Sequence, residues 1–190
     1  VREYIIVTIK QEKIYDAIPA VRKRMDVQDE KKVEDLLLST LETLYLNQEE
    51  ALTYEYLEML ARSRQSSKRE YATKLIGKEA THDTIILLTD LLRDLDSKVR
   101  VSAIVTASKI HNPLLYSILV DNLGSRLYRG AAKTALLNLG SDVVITLNDA
   151  YQKTDVTTDV QATILAVLGQ IGGEKVQSIL MDKLLQAPPL

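Results

Sequence analysis

The stretch Asp96–Ile110, DSKVRVSAIVTASKI, decides how the chain folds. Counted from Arg100 at ~100° per residue, positions −1, +3, +4, +7 and +10 share one arc of a helix. They are Val99, Ala103, Ile104, Ala107 and Ile110, all apolar. Asp96 or Ser97 supplies a side-chain oxygen for the N-cap. The stretch therefore reads as an amphipathic helix whose buried face carries small residues, so that a neighbouring helix can approach closely. Arg100 stands at the edge of that face. Its stem can pack there while its guanidinium reaches a carboxylate or carbonyl in the adjacent unit, with Asp94 and Asp96 the nearest candidates.

The same pattern recurs along the chain. Val1-Arg2 precedes Ile5, Ile6 and Ile9, and Val33-Glu34 precedes Leu37, Leu38 and Leu41. Lys68-Arg69 precedes Ala72 and Ile76, and Tyr128-Arg129 precedes Ala132 and Leu136. Val160-Gln161 precedes Ile164, Leu165 and Leu168. From Arg2 onward these marks lie 32, 35, 31, 29 and 32 residues apart. A fixed period with a helical pattern in each copy is the mark of an α-solenoid, in which stacked units bury the stripe that no unit can bury alone.

Each period holds two helices. The predicted pairs are 14–25 with 30–46, 49–64 with 67–77, 84–94 with 97–110, 113–123 with 126–139, and 142–153 with 157–171. A last helix follows over 174–186. Asp83 is the expected cap of the 84–94 helix. Pro113 suits a first turn, and Gly140 and Gly172-Gly173 suit helix ends. REYIIVTIK, residues 2–10, is rich in β-branched residues but falls in register with the other second helices. The expected architecture is an all-α, right-handed α-α superhelix of about six antiparallel helix pairs. It forms one elongated domain over 1–190, with divergent repeats in 1–81 and the clearest in 82–186.

Composition removes several classes of function. Of 190 residues, 24 are basic and 26 acidic, so the whole chain has no general attraction for nucleic acid or anionic lipid. Cysteine, Trp and Phe are absent. That removes disulfides and thiolate chemistry, and it leaves the core to Leu, Ile and Val. His82 and His111 stand far apart and make no metal-ligand spacing. No apolar run approaches the ~20 residues of a membrane span. No nucleophile–base pair or phosphate loop is evident. LGQIGG, residues 168–173, follows no strand, so it is no dinucleotide fingerprint. No catalytic residue, metal ligand or cofactor is expected.

The repeats resemble the HEAT family, and among them the short HEAT-like repeats of phycobilin lyases. The resemblance rests on Asp96, Val99-Arg100, Ala103 and Ile110, on Arg129, Ala132, Ala135-Leu136 and Leu139-Gly140, and on the close Leu168-Gly169-Gln170-Ile171-Gly172-Gly173. It is clearest over about 82–186. It implies a scaffold, in which Arg2, Arg69, Arg100 and Arg129 form a structural ladder between repeats. It also implies that second helices line a concave side.

Helical arithmetic then names the residues of that side at +1, +5, +8 and +9. They are Glu70, Lys74 and Lys78, then Val101, Val105, Ser108 and Lys109. Gly130, Thr134, Leu137 and Asn138 follow, and then Ala162, Ala166, Gly169 and Gln170. The possible interaction surface is Lys74, Lys78, Val101, Val105, Lys109, Thr134, Asn138, Ala166 and Gln170. A weakly charged surface with exposed apolar atoms suits a helix or an extended peptide. The expected partner is a protein, a peptide or an adjacent domain of the same chain.

Two other readings rank below this one. The phycobilin-lyase resemblance implies an enzyme module, but no cluster of polar residues stands out to fix a tetrapyrrole. Some alkylpurine DNA glycosylases are built from HEAT-like repeats, and basic residues gather at Arg62, Arg64, Lys68, Arg69, Lys74 and Lys78. Glu55, Glu58, Glu70 and Glu79 interrupt them, and base flipping leans on large wedges that a chain without Trp or Phe lacks. The chain opens at Val1-Arg2 without Met and leaves through Pro188-Pro189. Both fit a cytoplasmic module of a larger bacterial protein, which is itself free or attached to a membrane.

Overall fold

The computed structural model describes residues 1–25, 27, 29–46, 53–78 and 80–186. These form helices and connections, with no strand among the described residues. The helices are α1 (Arg2–Gln11), α2 (Ile18–Met25), α3 (Lys31–Leu46), α4 (Tyr54–Ala61), α5 (Ser66–Ile76) and α6 (His82–Leu91). Then come α7 (Ser97–Ala107), α8 (Pro113–Asp121), α9 (Arg129–Leu139), α10 (Val144–Tyr151), α11 (Thr158–Ile171) and α12 (Glu174–Gln186). Short 3₁₀ turns lead into α2 and α10 and follow α8. The β-branched segment 2–10 is helical, as its register predicts. The part of the expected 49–64 helix before Thr53 lies outside the described residues.

Local chemistry fixes several helix ends. The Asp96 carboxylate accepts the backbone N–H groups of Lys98 and Val99 at 2.9 and 3.3 Å, so Asp96, rather than Ser97, caps α7. Asn112 caps α8 ahead of Pro113. The cap of α6 is Thr81, not Asp83. Thr81 and Thr84 exchange side-chain and backbone bonds in a reciprocal capping box, which Asp83 has no partner to match. Asp83 falls instead in the first turn, where a negative charge favours the helix dipole. Gly140 and Gly172 close α9 and α11 at φ +58° and +69°, a region L side chains avoid.

Two layers follow from the contacts. Each of α2, α4, α6, α8 and α10 packs on the helix after it, across a short connection that folds the chain back. In one layer α1 touches α3, α3 touches α5, α5 touches α7, α7 touches α9 and α9 touches α11. In the other, α4 touches α6, α6 touches α8 and α8 touches α10. Arg22 of α2 extends that second layer by lying over the Tyr56 ring of α4, 4.1 Å from its centroid. One apolar core runs between the layers from Ile6 to Val176, built mainly of Leu, Ile, Val and Ala. The small residues at +3, Ala72, Ala103 and Ala132, are fully buried. They let the second helices approach closely.

The α5–α7 joint is the most closely fitted. A Cβ on Gly77 would meet the Thr106 methyl at 3.1 Å. The Thr106 hydroxyl donates to the Thr73 carbonyl at 3.0 Å, and the Thr73 and Ser102 hydroxyls share a hydrogen bond. Thr73 and Thr106 are buried, and these bonds satisfy their polar atoms.

Candidate functional site

The first site element is the residue that opens each second helix. Arg69 donates from Nε and Nη2 to the two Asp94 oxygens at 2.7 and 2.9 Å, and from Nη1 to the Ser63 carbonyl at 2.9 Å. Asp94 lies beyond α6, in the next pair, so the bidentate contact ties one pair to the next. Arg100 does not use Asp94 or Asp96. Asp94 is occupied by Arg69, and Asp96 is occupied as a cap. Arg100 donates from Nε to Asn122 Oδ1 at 2.7 Å and lies 4.3 Å from the centroid of the Tyr128 ring. Asn122 is fully buried, and its amide donates to the Ile118 and Leu92 carbonyls at 2.7 and 3.4 Å. It therefore links α6, α7 and α8.

Arg129 donates to the Leu123 carbonyl at 2.8 Å and pairs with Asp159 of α11 at 2.6 Å. Arg2 pairs with Asp29 at 3.2 Å, just ahead of α3. Where the sequence substitutes Glu34, the polarity reverses: Gln65 donates to Glu34 at 2.8 Å. Gln161 takes the arginine's place in α11 and donates to the Tyr151 carbonyl at 3.1 Å.

The second element is the outer face of the second-helix layer. Lys74, Lys78, Val101, Val105 and Lys109 all line one depression of about 760 Å³ between α5 and α7. Its floor is mainly aliphatic: Leu75, Val101 and Val105 lie beside Ser97, Ser102 and Thr106, with Leu127 reaching over from the connection before α9. Val105 is 49% exposed and Leu127 67%. Its rim holds Lys74, Lys78, Lys98 and Lys109 against Glu42 and Glu70. Lys74 sits 3.6 Å from Glu70 and 4.0 Å from Glu42. Partial burial holds the Lys78 ammonium below the usual lysine range, opposed by Glu42.

Ala166 lines a second, shallower depression between α9 and α11, bordered by Arg126, Arg129, Lys133 and Asp159. Thr134, Asn138 and Gln170 are exposed but line neither depression. Three of the residues that the arithmetic put outside are drawn inward. Ser108 is the C-cap of α7, is buried, and donates to the Val105 carbonyl at 2.8 Å. Leu137 packs half-buried against the core. Val101 is also half-buried, so it serves as floor rather than open surface.

The sequence reading missed Leu127, Lys98 and Glu42. Leu127 lies on a connection, where no period marks it. Lys98 stands just ahead of the −1 position, outside the arc that was counted. Glu42 belongs to α3, whose repeat departs most from the pattern. Among the described residues, no three His, Cys, Asp or Glu side chains gather as a metal site would require. No described helix is long and apolar enough to cross a membrane. A scan against protein-family models finds no match for this chain, and a search of curated proteins finds none either.

Proposed function

We propose that the chain is a HEAT-like interaction module. In this reading its helix pairs form a right-handed superhelix, and its second helices present a concave binding face to a protein or peptide. The observation that carries it is the α5–α7 depression. It gathers Lys74, Lys78, Val101, Val105 and Lys109 around an aliphatic floor, in a volume of about 760 Å³. That volume is on the scale of small-molecule clefts, ~300–1,000 Å³, so it has room for a few side chains of a partner. Its lining sets aliphatic side chains inside a charged rim in which lysines outnumber glutamates, which suits recognition of side chains. The ladder residues contribute by fixing each second helix against the next, so that the floor is rigid before any partner arrives. The module would act in the cytoplasm or on the cytoplasmic face of a membrane-attached parent, and the partner could equally be an adjacent domain of that parent.

The test is selection from a random peptide display library on the wild-type protein, with Val105→Glu as the counter-target. Val105 is half-exposed, so the substitution should leave the helical circular dichroism unchanged. Peptides that enrich on the wild type and not on Val105→Glu support the reading. Enrichment that ignores Val105, or none at all, refutes it.

A further inference from the structure

We propose that the α5–α7 depression recognises an acidic segment of another protein, one that carries leucine-sized apolar side chains between Asp or Glu residues. This rests on the reading of the second-helix face as a binding surface and adds the chemistry of its partner. The chain as a whole carries 24 basic and 26 acidic side chains, yet this depression gathers four lysines against two glutamates. Both glutamates lie beside one lysine, Lys74. Among the described residues, no carboxylate stands within ion-pair distance of Lys78, Lys98 or Lys109. Three ammonium groups therefore ring an apolar floor with no ion pair among the described residues, and Glu42 acts on Lys78 only from beyond ion-pair distance. Lys78 is also partly desolvated, and an incoming carboxylate would restore what burial removes.

The floor decides between acidic partners. Val105 and Leu127 expose aliphatic carbon to the depression, and no aromatic residue lines it. Single-stranded nucleic acid gains much of its non-specific affinity by stacking bases on aromatic rings. Here it would find charge without a stacking platform. An acidic peptide with Leu or Ile side chains meets both features at once: its apolar side chains cover Val101, Val105 and Leu127 while its carboxylates reach the rim. Charge would set approach and register, and the buried side chain would hold the complex.

Fluorescence anisotropy with labelled synthetic probes tests this. The probes are a Glu/Leu amphipathic peptide, the same peptide with Leu replaced by Ser, the same with Glu replaced by Lys, and an oligothymidylate. The Glu/Leu peptide should bind best and should weaken several-fold when sodium chloride rises from about 50 to about 300 mM. Lys78→Glu/Lys109→Glu should lower its affinity about tenfold or more, and Val105→Glu should do the same. Both lysines are exposed, so circular dichroism should stay that of the wild type. If the Lys/Leu peptide binds as well and still depends on Val105, the acidic preference is wrong and the interaction reading stands. If the Glu/Ser peptide or the oligothymidylate binds as tightly as the Glu/Leu peptide, the apolar anchor is wrong. If no probe binds in a Val105-dependent way, the acidic-segment proposal is overturned. The display selection then decides separately whether the face binds any peptide.

Discussion

The α5–α7 joint and the α1–α3 joint start from the same sequence position and hold it differently. In the first, the side chains of Arg69 and Asp94 are 18% and 10% exposed, and the contact is bidentate. In the second, Arg2 is 71% exposed and makes one contact to Asp29, which is itself only 7% exposed and keeps Arg24 as a second partner. An exposed ion pair is screened by water and salt and contributes ~0–1 kcal/mol. A largely buried, hydrogen-bonded pair is different, because losing one member strands the other. Equivalent positions therefore do not carry equivalent energy. What decides is the arginine's own burial and what its partner is left with: without Arg69, Asp94 has no guanidinium, whereas without Arg2, Asp29 keeps that of Arg24.

The largest expected effect comes from breaking the buried rung. Arg69→Ala should lower stability by about 2–4 kcal/mol in urea denaturation, since Asp94 then loses its guanidinium while staying buried. Arg69→Lys should recover only part of this, because an ammonium cannot make the bidentate contact. A loss below ~0.5 kcal/mol would put Arg69 level with Arg2 and erase the difference between the joints.

Next comes the rung whose acceptor is neutral. Asn122→Leu should cost about 2 kcal/mol, since the Arg100 Nε–H loses its acceptor and the Leu92 carbonyl loses the amide, while the Ile118 carbonyl keeps the residue-122 backbone N–H. Thermal unfolding checks this, and an unchanged midpoint would mean that water replaces the amide.

A smaller, pH-dependent effect sharpens the same contrast. Burial pushes the Asp94 carboxyl up. The Arg69 guanidinium and the Asp96 N–H more than offset this, so the group titrates below the usual carboxylate range. A carboxyl whose folded value is depressed contributes stability above its unfolded value. It loses that contribution as pH falls through the folded one. The stability gap between wild type and Asp94→Asn should therefore be full at neutral pH and shrink below about pH 4. A gap that stayed constant through that range would mean that Asp94 ionisation does not stabilise the fold. The smallest effect is expected at the exposed rung, where Arg2→Ala should change stability by less than ~0.5 kcal/mol.

Much of this was legible in the sequence. The helices follow the 3.6-residue period, and Asp96, Pro113, Gly140 and Gly172 mark ends by local chemistry alone. What was not legible depends on distance or on geometry at a helix end. Arg100 finds Asn122 in the next pair, and an amide there carries no charge signal to set against the nearer Asp94 and Asp96. Thr81 outcompetes Asp83 because Thr84 reciprocates. Ser108 should be on the outside by helical counting, but α7 ends at Ala107 and the chain turns inward. The α5–α7 depression was half legible. Lys74, Lys78, Val101, Val105 and Lys109 fall on a counted arc, but Leu127 arrives from a connection with no period to announce it.

Arg69 at the start of α5 couples its pair to the next and so fixes the floor of the α5–α7 depression. A double-mutant cycle on Arg69→Ala and Asp94→Ala, followed by urea denaturation, tests this most directly. A coupling of about 1–3 kcal/mol between the two is predicted, with the double variant less destabilised than the sum of the singles. Strictly additive losses would contradict it: the contact would then be a surface decoration, and packing alone would hold the pairs in register.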